Sequence, residues 1–281
     1  MVLDNALESG LLGVRGLQDK VIVVCAGGTG SNDGPSNRAS IGGATARRLA
    51  QEGARVIVGD LNEPAAQRTV ELIERDGGKA IAQQFDASDE SSIAALMKCA
   101  VDVFGGIDGV HANAMDMSTE TLGVDGEHDL LTLPLDVWQR TIDVGLTGFL
   151  LCARHSIPSM LERGGGSVVA TVSGAVYVGE PIRLAYQTTK TGMTAVVRHI
   201  ASRWGREGIR ANAVSPGMVP GPEKLAGVDD AGRQRMLRLA RSNRLGTADD
   251  IAGMVTFLMS DDGSWVTGQV IAVDGGVSMR P

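Results

Sequence analysis

From residue 20 to residue 273, short β-branched runs alternate with longer stretches of helical periodicity. That alternation leaves few architectures open to the chain. Segments 21–25, 55–59, 80–85, 109–111, 168–172, 210–214 and 270–273 read as strands. Segments 41–52, 63–76, 89–104, 135–160, 186–207 and 248–259 read as helices. The strands are apolar almost throughout, which suits a sheet covered on both faces. Right-handed crossovers between them give an α/β fold: a doubly wound, parallel, seven-stranded sheet with helices on both faces. The pattern is unbroken, so one domain is expected over 18–281, after an N-terminal extension, 1–17, that belongs to no repeat and packs on the surface or moves freely. The stretch 217–246 follows a strand's C-terminal end, is polar and is helical over 232–240, which is where a lid would lie. Thr247 and Asp250 are expected to cap the last helix.

Bulk properties remove several classes of function. Lys and Arg number 26 against 33 Asp and Glu, a net charge of -7. This is the wrong sign for a nucleic-acid footprint, so no nucleic-acid partner is expected. Cys25, Cys99 and Cys152 sit in apolar segments without metal-ligand spacing. They read as thiols in a reducing cytoplasm rather than disulfides or a metal site. No apolar run reaches membrane-spanning length and no basic-then-apolar leader opens the chain, so a cytoplasmic protein with no membrane partner is expected.

The first strand runs into Ala26-Gly27-Gly28-Thr29-Gly30, and a helix opens after Ser40-Ile41-Gly42-Gly43. Glycines between a strand and a helix let the backbone approach a pyrophosphate, which the helix N-terminus stabilises. The second strand leads to Asp60, where a carboxylate can bond both ribose hydroxyls and repel a 2′-phosphate. NAD is therefore favoured over NADP, although Arg38 offers a positive charge in the opposite sense. Asp86, after the third strand, stands where it could meet an adenine, and a helix cap explains it as cheaply.

Tyr186 and Lys190 are four apart, so on a helix they share one face. An ammonium beside a phenol favours the phenolate and is expected to pull its pKa down from about 10. A phenol poised in this way is a usable general acid or base.

With Ser173 upstream of Tyr186-Gln187-Thr188-Thr189-Lys190, Ser215-Pro216-Gly217-Met218-Val219 after the sixth strand, and the closing Val266-Thr267-Gly268-Gln269 and Val273-Asp274-Gly275-Gly276, the chain resembles the short-chain dehydrogenase/reductase family from Leu17 onward. The resemblance implies a single Rossmann domain that interconverts a secondary alcohol and a ketone with NAD. Ser173 would hold the reacting oxygen. Tyr186 would pass the proton, and Lys190 would lower its pKa and hold the nicotinamide ribose. Cofactor contacts would come from Gly27, Ser40, Ile41, Asp60, Leu61, Asp86, Ala87, Asn113, Ala114, Tyr186, Lys190, Pro216, Gly217, Met218 and Val219. A homotetramer through the helices 135–160 and 186–207 is also implied.

The chain departs from the family pattern at three places. A segment rich in Gly, Asn, Ser and Pro (29–38) enlarges the glycine loop. The stretch Ser36-Asn37-Arg38-Ala39-Ser40-Ile41 looks somewhat like the loop of bacterial enoyl reductases, but that branch spaces its tyrosine and lysine more widely, and the position it requires here is Arg183. His111-Ala112-Asn113-Ala114 replaces Asn-Asn-Ala-Gly after the fourth strand, and His111 reads more readily as structural than catalytic. Asp143 stands for the family's catalytic asparagine; a carboxylate facing Lys190 is expected to raise the lysine's pKa and alter the pH dependence.

The site wall Ala175–Val178 and the lid residues Met218, Leu225, Met236 and Leu237 suggest a mostly apolar small-molecule substrate, alicyclic, aromatic or steroid-like. Arg233, Arg235 and Arg238 read as a solvated face. A non-catalytic dinucleotide-binding regulator on the same fold is the alternative.

Overall fold

The computed structural model describes residues 16–29, 40–221 and 227–279. The extension up to residue 15, the inserted stretch 30–38 with Arg38, and Leu225 lie outside these residues. Seven strands form one parallel sheet: β1 (Val21–Cys25), β2 (Arg55–Asp60), β3 (Lys79–Gln84), β4 (Gly109–Ala112), β5 (Gly166–Thr171), β6 (Ile209–Pro216) and β7 (Val270–Val273), in the order β3-β2-β1-β4-β5-β6-β7. The order reverses between β1 and β4. In open α/β sheets a ligand crevice lies at such a switch, beyond the carboxyl ends of the strands.

Alternation along β1 shows why both faces are covered. Val21, Val23 and Cys25 belong to one core, while Ile22 and Val24 belong to the other. The first core takes α3 (Glu90–Phe104) through Ile93 and Leu96, α5 (Gly148–Glu162) through Phe149 and Ile157, and α6 (Leu184–Trp204) through Met193 and Val197. The second takes α1 (Ile41–Gln51) through Leu49, α2 (Glu63–Arg75) through Val70 and Ile73, and α8 (Ala248–Met259) through Ile251, Val255 and Leu258. Leu17, counted with the extension from sequence, is fully buried in this second core.

The expected helix 135–160 is interrupted. α4 (Leu135–Ile142) passes into a π-helical turn, Asp143–Thr147, before α5 continues the path. The Gly148 N–H reaches back to the Asp143 carbonyl, and that five-residue return is the physical mark of the interruption. In the lid region α7 spans Asp230–Leu239, with Asp229 accepting from the Gly232 N–H as its cap. Thr247 and Asp250 form the expected reciprocal capping box of α8. Among the described residues no helix is long and apolar enough to cross a membrane.

Candidate active site

β5 ends at Thr171, and two residues later Ser173 caps a short 3-10 turn, Gly174–Tyr177, its hydroxyl accepting from the Ala175 N–H at 3.2 Å. α6 then returns antiparallel to the strand direction, with Tyr186 in its first turn and Lys190 one turn on. Lys190 lies in the buried stripe that continues through Met193, Val197 and Ile200, which explains how a lysine comes to be enclosed. The structure thus brings Ser173, Tyr186 and Lys190 together. Ser173 stands close enough to the Tyr186 phenol to lower its pKa, and the Lys190 Nζ stands 5.8 Å from the centre of its ring.

The electrostatics differ from the expectation. Burial raises the Tyr186 pKa above that of a free phenol; the nearby Ser173 hydroxyl and then the Arg183 charge oppose this, and Glu180 adds to it. Lys190 does not bring the phenol down here, because its ammonium donates to the Thr171 carbonyl at 2.8 Å and is itself enclosed. Burial pushes the Lys190 pKa down from 10.5 to about 8. Asp143 also departs from expectation. Its carboxylate accepts from the Gln139 amide at 2.8 Å, along its own helix, so it is not spent on Lys190.

His111 is structural in its surroundings. It is fully buried in β4, its Nε2 lies 2.8 Å from the Thr171 hydroxyl, and burial, then the Lys190 charge, holds its pKa down at about 3. Thr171 therefore joins two buried bases, meeting Lys190 through its carbonyl and His111 through its side chain.

At the other end of the crevice Gly27 and Gly28 leave β1 under tight constraint. A Cβ on Gly42 would meet the Ala26 carbonyl oxygen at 1.9 Å, so the start of α1 packs directly on the loop backbone. Ser40 donates to the Gly28 carbonyl at 2.7 Å and caps α1 through the Gly43 N–H at 3.0 Å, with Ile41 as the first helical residue. The Asp60 carboxylate accepts from the Gly28 N–H at 2.8 Å and the Asn62 N–H at 3.0 Å, which places it against the glycine loop. Its neighbour Leu61 is exposed. A Cβ on Gly28 would come within 2.7 Å of an Asp60 oxygen. A backbone cradle without side chains, a helix N-terminus and an acid at the rim together fit a dinucleotide.

Asp86 accepts from the Ser88 N–H and hydroxyl at 2.8 and 2.7 Å, so its carboxylate organises the turn after β3, and Asp89 caps α3. Ala87 is buried next to it. Asn113 follows β4 and donates to the Ala26 carbonyl at 3.2 Å, tying the β4 end to the glycine loop, with Ala114 half-buried beside it. Pro216 ends β6; Gly217, Met218 and Val219 follow and line a recess of about 160 Å³ with Asp274. A larger recess of about 630 Å³ lies at α7, lined by Val228, Arg235, Met236 and Leu239. Neither recess is lined by Ser173 or Tyr186.

Two groups had no sequence signal. Arg140 on α4 pairs with Asp116 at 3.0 Å and donates to the Ser88 hydroxyl at 2.9 Å, joining the segments after β3 and β4. Asp125, also in the segment after β4, accepts from the backbone at the start of α6. Neither contact is local, so no spacing announces it.

A family model described as enoyl-(acyl carrier protein) reductase matches residues 34–278. A probable short-chain type dehydrogenase/reductase of Bradyrhizobium diazoefficiens is 35% identical, over 92% of this chain and 88% of its own length. This chain belongs to the short-chain dehydrogenase/reductase family. It is an oxidoreductase of that family. A cyclohexanol dehydrogenase of Acinetobacter sp. is 34% identical over 85% of this chain and 91% of that protein. Among solved structures, a 7 alpha-hydroxysteroid dehydrogenase complexed with NADH and 7-oxo glycochenodeoxycholic acid is similar with a TM-score of 0.81 and 28% identity, covering 95% of this chain and 96% of that one. The seven-stranded fold and the order of its motifs are those of this family. Tyr186 and Lys190 stand one turn apart on α6.

Proposed function

We propose that this dehydrogenase/reductase interconverts a secondary alcohol and a ketone, with NAD as its hydride carrier. The observation that carries the reading is the buried Lys190 ammonium 5.8 Å from the centre of the Tyr186 ring, with Ser173 beside the phenol, just beyond the carboxyl end of β5. The bound nicotinamide would accept or give the hydride; the chain supplies placement and proton transfer. Ser173 would donate to the reacting oxygen and fix its direction. Tyr186 would move the proton at its hydroxyl, giving it to a ketone oxygen or taking it from an alcohol. Lys190, charged below about pH 8, would hold the nicotinamide ribose beside the phenol. Because burial keeps the phenol protonated, ketone reduction has its acid ready at neutral pH, whereas alcohol oxidation speeds up as the pH rises.

Gly27, Ser40, Ile41 and the α1 N-terminus would hold the pyrophosphate, and Asp60 the adenosine ribose. A carboxylate at that position meets a 2′-phosphate unfavourably, which supports NAD over NADP. Asp86, Ala87, Asn113 and Ala114 would flank the adenosine half, and Leu61 would cover it from outside. Pro216, Gly217, Met218 and Val219 would flank the nicotinamide half with Tyr186 and Lys190. Asp143 would act through its backbone within the π-helical turn, with its side chain turned to Gln139.

The wall Ala175–Val178 and the lid residues Met218, Met236 and Leu237 support a mostly apolar alcohol, and the names of the relatives point to alicyclic and steroid alcohols. Exposed Leu135, Leu150 and Leu161 on the path of α4 and α5 support assembly through those helices, which light scattering of the purified protein would read as a tetramer. The decisive assay mixes the protein with NAD and a panel of alicyclic secondary alcohols and follows the reduced nicotinamide. Turnover lost in Tyr186→Phe is the expected result. Turnover retained by that variant would overturn the reading, and silence of the parent with NAD binding intact would favour the non-catalytic alternative.

A further inference from the structure

The helix that carries the reacting tyrosine has no cap of its own. Arg183 occupies the N-cap position in the left-handed conformation, at φ 63°, and its side chain makes no capping hydrogen bond. A non-glycine residue held there is strained and persists only when its surroundings fix it. The first N–H groups of any helix also lack intrahelical acceptors, and leaving them buried and unpaired is unfavourable.

One residue remote in sequence meets both needs. Asp125 is fully buried. Its Oδ1 accepts from the Ala185 N–H at 3.1 Å, its Oδ2 from the Tyr186 N–H at 2.8 Å, and its own carbonyl from the Arg183 N–H at 2.9 Å. Three contacts thus tie the αL residue, the first turn and the tyrosine's own backbone nitrogen to one side chain and its peptide. A carboxylate at a helix N-terminus is also favoured by the macrodipole.

The Asp125 segment is itself anchored. Asp116 accepts from the Ser118 N–H and the Thr121 hydroxyl at 3.1 Å each, and from Arg140 at 3.0 Å. A π-helical turn, Thr119–Gly123, then leads into Asp125. On the other side Arg183 pairs with Glu180 and stands with its guanidinium 5.8 Å from the centre of the Tyr186 ring.

We propose that Asp125 is a positioning residue for the reaction: by capping α6 from the β4–α4 segment, it sets where the Tyr186 phenol stands relative to Ser173 and Lys190. Its backbone contacts fix the first turn of α6, so the ring rests on an immobilised backbone. A misplacement of about 1 Å at a reacting group lowers turnover by about a hundredfold, so even a small slip of this turn is visible in kcat.

The kinetic half of the test rests on the activity proposed above, and the spectroscopic half does not. Three variants separate geometry from charge: Asp125→Glu keeps the charge and moves the carboxylate, Asp125→Asn keeps the shape and removes the charge, and Asp125→Ala removes both. Each is assayed well below its melting temperature. We expect kcat to fall by about 10- to 100-fold in Asp125→Glu and Asp125→Ala. Asp125→Asn, which keeps one acceptor, falls less. The KM for the alcohol and the Kd for NAD stay within about threefold.

The chain has two tyrosines. In a Tyr177→Phe background the ultraviolet titration of tyrosinate therefore reports Tyr186 alone, without substrate or cofactor. In Asp125→Glu this titration moves down towards that of a free phenol, because the ring gains water while the nearby charge is kept. If Asp125→Glu and Asp125→Ala melt at lower temperature yet keep parental kcat and an unmoved Tyr186 titration, Asp125 is a loop anchor and the proposal fails. A moved titration in a protein whose Tyr186→Phe variant remains active would keep the positioning and discard the proposed reaction.

Discussion

Replacing Lys190 by methionine should stabilise this protein at neutral pH while abolishing its activity. Burial holds the lysine's pKa at about 8 against an ordinary 10.5. That gap corresponds to about 3 kcal/mol by which the fold disfavours the charged amine at pH 7. Methionine fills similar space without charge, but it leaves the Thr171 carbonyl, which accepts from Lys190 at 2.8 Å, without that donor. An unpaired buried acceptor is worth about 1–3 kcal/mol in the opposite sense. The net expectation at pH 7 is a gain of about 1 kcal/mol, or about 2–4 °C in melting temperature for a chain of this size. The sign then changes with pH. Between about pH 8 and 10.5 the unfolded lysine still binds a proton that the folded one has lost, so the parent's stability rises with pH. Near pH 10 the charge penalty shrinks to under about 1 kcal/mol, and the variant should become the less stable of the two. Urea melts of both proteins at pH 7, 8.5 and 10 read this crossing directly. A stability difference that is independent of pH would refute the reasoning, because it would mean that Lys190 titrates like a solvated amine.

Three further outcomes follow from the site. His111, held neutral with a pKa of about 3, binds no proton when folded but does so when unfolded below about pH 6.5. The parent should therefore lose about 2 kcal/mol between pH 6.5 and 5, and His111→Gln should flatten that slope in urea melts. Asp60→Ser removes the carboxylate that would meet a 2′-phosphate; it should narrow the ratio of NAD to NADP affinity by about tenfold or more, measured by fluorescence titration. Asp143→Asn should leave the pH–rate profile unchanged, since its carboxylate is bonded to Gln139 and burial accounts for the lowered Lys190 pKa. A shifted profile would mean that Asp143 and Lys190 interact across the π-helical turn.

The segments that sequence periodicity resolved are those whose cause is local. β1 reads as a strand because Val21–Cys25 is apolar on both faces, and it alternates between two cores as read. α8 starts at Thr247 because a threonine and an aspartate three residues apart cap each other, whatever the rest of the chain does. Tyr186 and Lys190 share a face because a helix has 3.6 residues per turn. The order of these elements was enough to derive a doubly wound sheet, and with it the end of the sheet where the chemistry lies.

What the periodicity could not supply is every quantity set by burial or by a partner distant along the chain. The interruption of the helix path at Asp143–Thr147 is one case, since a π-helical turn leaves the apolar pattern on either side intact. The ionisation of the site is another. A lysine one turn from a tyrosine predicts a lowered phenol pKa only if solvent is ignored; tertiary packing encloses both groups, raises the phenol and lowers the amine. The partner of the first turn of α6 is the clearest, because Asp125 reaches the Tyr186 N–H across 61 residues of sequence. Spacing along a chain encodes what lies within a turn or a strand, and so the sheet and the shared helix face of Tyr186 and Lys190 were legible before folding. Desolvation and long-range hydrogen bonds exist only once the layers have closed, and so tertiary structure alone decided how that pair is charged and what holds it in place.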